Sequence, residues 1–108
     1  MREQSIMQRV QLEASRKGWR VFRNNVGLLK NDQGVPVRYG LCPGSSDLIG
    51  WRELVITPDM VGHTVAQFCA VEVKTPTGKP TAQQMQFLEA VAAAGGVAII
   101  ARGEGALP

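Results

Sequence analysis

Glu72, Val73 and Lys74, late in a chain of 108 residues, set a carboxylate and an ammonium two positions apart. Side chains two apart in a strand share a face, and the apolar run Phe68-Cys69-Ala70-Val71 leads straight into this triplet. Asp47 ends the loop Pro43-Gly44-Ser45-Ser46 and opens a second apolar run, where a carboxylate can reach into a cleft from a rigid support. Asp47 and Glu72 offer hard oxygen ligands to a divalent cation, and the Val73 carbonyl is a candidate third. A cation held there lowers the pKa of a water and stabilises charge on phosphate oxygens. Lys74 then stabilises the transition state or orients the attacking water. These are the parts of a metal-dependent phosphodiester hydrolase. The same residues also suit a quieter role, with Glu72 and Lys74 as a surface ion pair and Asp47 completing an Asx turn.

The elements that must position these residues can be read from patterning. Glu3, Ile6, Met7, Val10 and Ala14 recur at helical spacing and predict an amphipathic helix over residues 3–17, stopped at Gly18. Trp19 to Arg23 alternates apolar and basic residues, as a half-buried strand does. Asn24 to Gly27 and Asn31 to Gly34 are turn-rich, so the segment between them is expected to be a loop. Val35 to Tyr39 reads as a short extended piece, and Asp47 to Trp51 as a strand that Leu54 to Thr57 continues or pairs with. Thr64 to Thr75 is expected to be a strand with Phe68, Val71 and Val73 as its main apolar residues. Thr81 caps a helix over residues 82–94, with Met85, Leu88, Val91 and Ala92 on one stripe and Gly95-Gly96 as its stop. Val97 to Ala101 suits a buried strand, and the last strand–helix–strand unit suits a right-handed parallel crossover. Mixed α/β in a single domain is the economical answer.

Composition narrows the partners. The net charge is +3, with eight Arg or Lys against three acids in residues 1–38 and four against six in residues 39–108. The first third is therefore a candidate polyanion surface, and the acids cluster with the proposed chemistry. Cys42 and Cys69 make a poor disulfide framework, and the lone His63 leaves zinc short of ligands. No apolar run approaches a membrane span, and Met1-Arg2-Glu3-Gln4 leads into no apolar block of a secretory signal. A reduced, intracellular protein is expected. Gly78-Lys79 resembles part of a phosphate-binding loop, but Val73 stands where that loop needs glycine and Pro80 follows Lys79. Trp19, Phe22 and Trp51 are expected in the core rather than stacked on bases.

The ordered set of motifs resembles the VRR-NUC branch of the PD-(D/E)XK nuclease superfamily. It comprises the early Glu3 helix, Phe22 to Gly27, Val37-Arg38, Pro43 to Leu48, Glu72 to Thr75, Gly78, Gln84 and Gly95 to Ala98. The resemblance covers nearly the whole chain, residues 1–108 as one nuclease domain, and implies a mixed central β-sheet flanked by helices with a restriction-endonuclease-like core. It implies Mg²⁺ or Mn²⁺ at Asp47 and Glu72, Lys74 as the catalytic lysine, and Glu3 and Gln84 as supports for the metal, a water or a phosphate. Ser46 precedes Asp47, and Pro43 stands four before it, so proline and aspartate are not contiguous as in the superfamily name. Short stand-alone members resemble bacteriophage and bacterial dimers that act on branched DNA such as four-way junctions.

On that reading Arg16, Lys17, Arg20, Arg23, Lys30 and Arg38 are candidate phosphate contacts, which position a duplex without reading its bases. The expectation is a DNA endonuclease working as a homodimer, away from membranes, in the cytoplasm of a bacterium or a bacterial host. The alternatives are a non-catalytic DNA-binding or scaffold protein on the same fold, or a restriction-like or repair nuclease that takes its substrate choice from a partner.

Overall fold

The computed structural model describes residues 2–108. Its two compact units meet in sequence at Arg52 and Glu53. In the first, helix α1 (Glu3–Arg16) leads into strands β1 (Arg20–Arg23), β2 (Gly27–Lys30), β3 (Pro36–Tyr39) and β4 (Leu48–Trp51). In the second, a 3-10 turn at Pro58–Met60 precedes β5 (Cys69–Val73), α2 (Ala82–Ala93) and β6 (Val97–Ala101). The architecture is α/β. Its pairing is mixed, but among the described residues it runs in three two-stranded sheets, β1–β4, β2–β3 and β5–β6, rather than one continuous ladder.

Both helices stop where their glycines require. Gly18 has φ +78°, its N–H donates to Ser15, and the Trp19 N–H reaches back to the Ala14 carbonyl at 2.9 Å. Gly95 has φ +95°, and the Gly96 N–H donates to Val91 at 2.9 Å, so α2 ends in the same two-bond arrangement. At its start, α2 has a capping box: the Gln84 N–H donates to the Thr81 hydroxyl and the Gln84 side chain accepts from the Thr81 N–H.

The first unit is a pair of antiparallel ladders. β1 pairs with β4 so that Arg20 faces Trp51 and Arg23 faces Leu48, and α1 packs on β1. Residues 27–30, expected to be a loop, form β2 and pair with β3 as a hairpin. The Asn31 side chain makes the turn, accepting from the Gln33 and Val35 N–H groups at 2.9 Å each. Leu28 and Leu29 thus enter a ladder because a side chain closes the turn beside them. Leu54 to Thr57 neither continues β4 nor pairs with it.

In the second unit β5 and β6 run parallel, with Glu72 opposite Ile100, and α2 packs against both. β5 is shorter than the strand expected over residues 64–75, because β6 offers partners only from Cys69 to Val73, with single backbone bonds at Phe68 and Lys74 beyond them. Leu88 and Val91 are buried between helix and strands. Elsewhere apolar burial is thin. Ile6, Val10, Trp19 and Phe22 stand exposed, and Trp51 is half-buried, against the expectation of a helical core stripe and core aromatics. Ala92 is exposed as well. No helix among the described residues is long and apolar enough to cross a membrane.

Gly50 faces Val21 in the β1–β4 ladder, and a Cβ there would overlap the Arg20 carbonyl. Backbone cannot yield as a side chain does, so Gly50→Ala is expected to destabilise the protein by about 1–3 kcal/mol. A Cβ on Gly103 meets open space. Urea unfolding should therefore leave Gly103→Ala near the parent while the Gly50→Ala midpoint falls.

Candidate functional site

The second unit carries Glu72 and Lys74 as a pair. Along β5 and into Lys74, Ala70, Glu72 and Lys74 are half-buried while Cys69, Val71 and Val73 are exposed. This inverts the usual alternation of a half-buried strand: the charged residues take the inner side and the valines face out. Of the strand's main apolar residues, Val71 and Val73 are thus exposed, Val73 by 75%, and Phe68 is half-buried. Lys74 Nζ lies 3.4 Å from Glu72 Oε1. A shared face and partial burial strengthen that attraction relative to a fully hydrated pair.

Beside Glu72 is a cavity of about 400 Å³ whose wall includes Ala70, Glu72, Gln84, Phe87 and Leu88. Gln84 lines the same cavity as Glu72, but its Oε1 is committed to the Thr81 N–H. Only its Nε2 group remains to face a ligand. Lys74 is tied to β6 through its own backbone, its N–H donating to the Ala101 carbonyl at 3.0 Å.

Asp47 belongs to the first unit. Its side chain is exposed and makes no hydrogen bond or ion pair among the described residues, so the Asx turn is not formed. Its backbone is held instead by Asn24, a residue whose role the sequence did not reveal. The Asn24 N–H donates to the Asp47 carbonyl at 2.9 Å, extending the β1–β4 ladder by one bond. The Asn24 amide donates to Ser45 Oγ at 2.8 Å and to the Ser46 carbonyl at 2.9 Å. Its oxygen accepts from the Leu41 N–H at 3.0 Å. Ser45 Oγ in turn donates to the Cys42 carbonyl at 2.6 Å. One amide thus gathers the loop from Leu41 to Ser46 and delivers Asp47 at the mouth of β4. Turn-rich sequence signalled only that Asn24 lay in a bend.

The remaining candidates all belong to the first unit. Glu3 is exposed in the first turn of α1. Arg16, Lys17, Arg20, Arg23, Lys30 and Arg38 are all exposed and all belong to the first unit. Of these, Arg23 bonds the Asn25 side chain at 3.1 Å. Trp19 carries the Arg52 guanidinium 5.6 Å from its ring centroid, a cation–π contact that keeps an exposed aromatic beside positive charge.

Glu72 offers carboxylate oxygens of the kind a hard divalent cation accepts, and no cluster of three or more His, Cys, Asp or Glu side chains that could hold a metal ion occurs among the described residues.

Replacing Asn24 by Ala strands the Leu41 N–H and the Ser46 carbonyl. Asn24→Ala is expected to cost about 1–2 kcal/mol of stability in urea unfolding, and hydrogen exchange at the Leu41 amide should quicken. Unchanged exchange there would show that the loop is held by something else.

Comparison with known proteins agrees with the motif order. Neither the curated proteins nor the solved structures gave a match. The VRR-NUC domain matches residues 6–105, a span that includes Asp47, Glu72, Lys74, Gln84 and Asn24 but begins after Glu3. With that match running through nearly all of its length, the chain belongs to the VRR-NUC family of the PD-(D/E)XK nuclease superfamily.

Proposed function

We propose that this protein is a metal-dependent endonuclease that hydrolyses DNA phosphodiesters by water attack, acting on branched DNA such as four-way junctions. Membership of a nuclease family supports nuclease chemistry in general. The observation that carries the catalytic reading is the placement of Glu72 in β5 and Lys74 immediately after it, both half-buried and 3.4 Å apart. A purely structural ion pair needs no such placement, because on the exposed face it would avoid the desolvation cost of partial burial.

In this reading residues 1–108 act as one domain with a restriction-endonuclease-like core, and Asp47, Glu72 and the Val73 carbonyl are the groups that would hold Mg²⁺ or Mn²⁺. The cation supplies Lewis acidity and positive charge at the scissile phosphate. Glu72 also holds the Lys74 ammonium in place until the phosphate arrives. Lys74 then stabilises charge that develops on the phosphate oxygens or orients the attacking water. Gln84 contributes its Nε2 donor, and Glu3 supports the water or the metal.

Arg16, Lys17, Arg20, Arg23, Lys30 and Arg38 contact backbone phosphates and set the duplex in register. Two copies related by a two-fold axis would present two sites to two strands. Apolar surface is available for that association, since only Ala14, Leu88 and Val91 are buried hydrophobics among the described residues. Such an enzyme would work in the cytoplasm of a bacterium or of a phage-infected host.

Cleavage of labelled linear, flapped and four-way DNA in Mg²⁺, Mn²⁺ or EDTA tests the proposal. Lys74→Ala is expected to cut about 10²–10³-fold more slowly while still binding DNA, and EDTA should stop the parent. A Lys74→Ala protein that cuts at the parental rate removes the mechanism. A parent that binds junctions yet never cuts them favours the scaffold reading, for which the Glu72–Lys74 ion pair is the supporting observation. Binding should weaken steeply with salt, and each of the six basic residues replaced by Ala should lower the salt slope by about one.

A further inference from the structure

We propose that Arg102 is a positioning residue for Lys74, acting as a guanidinium clamp on the loop that follows β5. This rests on the nuclease reading for its catalytic consequence, but the clamp itself stands on hydrogen-bond geometry. The connection from β5 to α2 begins immediately after Lys74 with Thr75-Pro76-Thr77-Gly78. Two prolines bound it, Pro76 and Pro80, and neither has an N–H to donate to a neighbouring strand. Such a loop needs partners for its carbonyls from elsewhere.

Arg102 provides them. Its Nη1 group donates to the Gly78 carbonyl at 2.6 Å and to the Thr75 carbonyl at 2.8 Å, with the Pro76 carbonyl at 3.3 Å. Charge-assisted bonds of this kind are the strong ones. Within the loop, the Gly78 N–H donates to Thr75 Oγ1 at 3.0 Å, which closes a tight turn under the guanidinium. The residue before Arg102 is Ala101, whose carbonyl accepts the Lys74 N–H. Lys74 is therefore gripped on both sides: its own N–H is held by the end of β6, and the carbonyls just beyond it by the next side chain of the same chain segment.

The ammonium at the end of a four-carbon stem is only as well placed as its Cα. A shift of about 1 Å in a reacting group can cost about 10²-fold in rate. Arg102 does not need to touch DNA for this role, since its Nη1 group acts on the three carbonyls alone. All three bonds come from one nitrogen, so a lysine ammonium could make some of them, but its stem is one atom shorter than that of arginine and keeps only part of the arrangement.

Arg102→Met and Arg102→Lys should be compared with the parent on a four-way junction in Mg²⁺, together with amide exchange at Gly78. The expected result is a kcat lower by about 10–100-fold in Arg102→Met with KM within about two-fold of the parent. Gly78 should exchange faster, and Arg102→Lys should fall between parent and Arg102→Met in both measurements. A rise in KM with kcat unchanged would make Arg102 a phosphate contact and overturn the proposal. Parental exchange at Gly78 in Arg102→Met would overturn the clamp even if activity fell. Should Arg102→Met fail to fold, Arg102→Lys carries the same two tests with smaller expected changes. A parent that never cuts defeats the nuclease assignment instead, while the exchange measurement still decides the clamp.

Discussion

The parallel register of β5 against β6 decides which side of the second unit carries charge. Glu72 sits opposite Ile100, so Ala70, Glu72 and Lys74 fall on the half-buried side and the valines between them face outward. Side-chain direction alternates with every residue, and a slip by one would exchange the two sets. Backbone bonds fasten both ends of this register, from Val97 to the Phe68 carbonyl and from Lys74 to the Ala101 carbonyl. The cost of placing an ammonium and a carboxylate partly out of water is offset in part by their mutual attraction at 3.4 Å.

The first unit solves a different problem. It must present one carboxylate from a loop rich in glycine and serine, which would otherwise sample many conformations. Asn24 does this by using both amide hydrogens and the amide oxygen on three separate points of the loop. Reversing the amide would set like against like at Leu41 and Ser46, so the bonding pattern admits only one orientation. The two units thus share a method. In each, a polar side chain from a strand end fixes the loop that bears, or follows, a candidate catalytic group.

What could be read from the sequence was local. Gly18, Gly95-Gly96 and Thr81 mark helix ends through short-range hydrogen bonds, and both helices fall within a residue or so of their expected limits. The Asp47 and Glu72-Val73-Lys74 motifs were visible because their order along the chain carries information. Leu28-Leu29 was misread because turn residues on either side gave no hint that Asn31 would close a hairpin. That the valines of β5 face outward was not legible, because alternation does not say which face is inside. Arg102 was invisible, since its partner carbonyls lie 24 to 27 residues earlier and no pattern of residue types announces a backbone acceptor.

Gln84 bears a consequence of its own. The amide that walls the cavity beside Glu72 is also the third residue of α2 and half of its capping box. The first turn of a helix is where local opening begins, at free energies well below that of global unfolding. Each such fraying event withdraws the Gln84 amide from the cavity wall and releases the Thr81 hydroxyl at once. Mild heating would thus erode the site's polar lining while Leu88 and Val91, deeper in the helix, still hold the unit together. Substitutions at Gln84 are felt by the folding equilibrium as well as by any ligand.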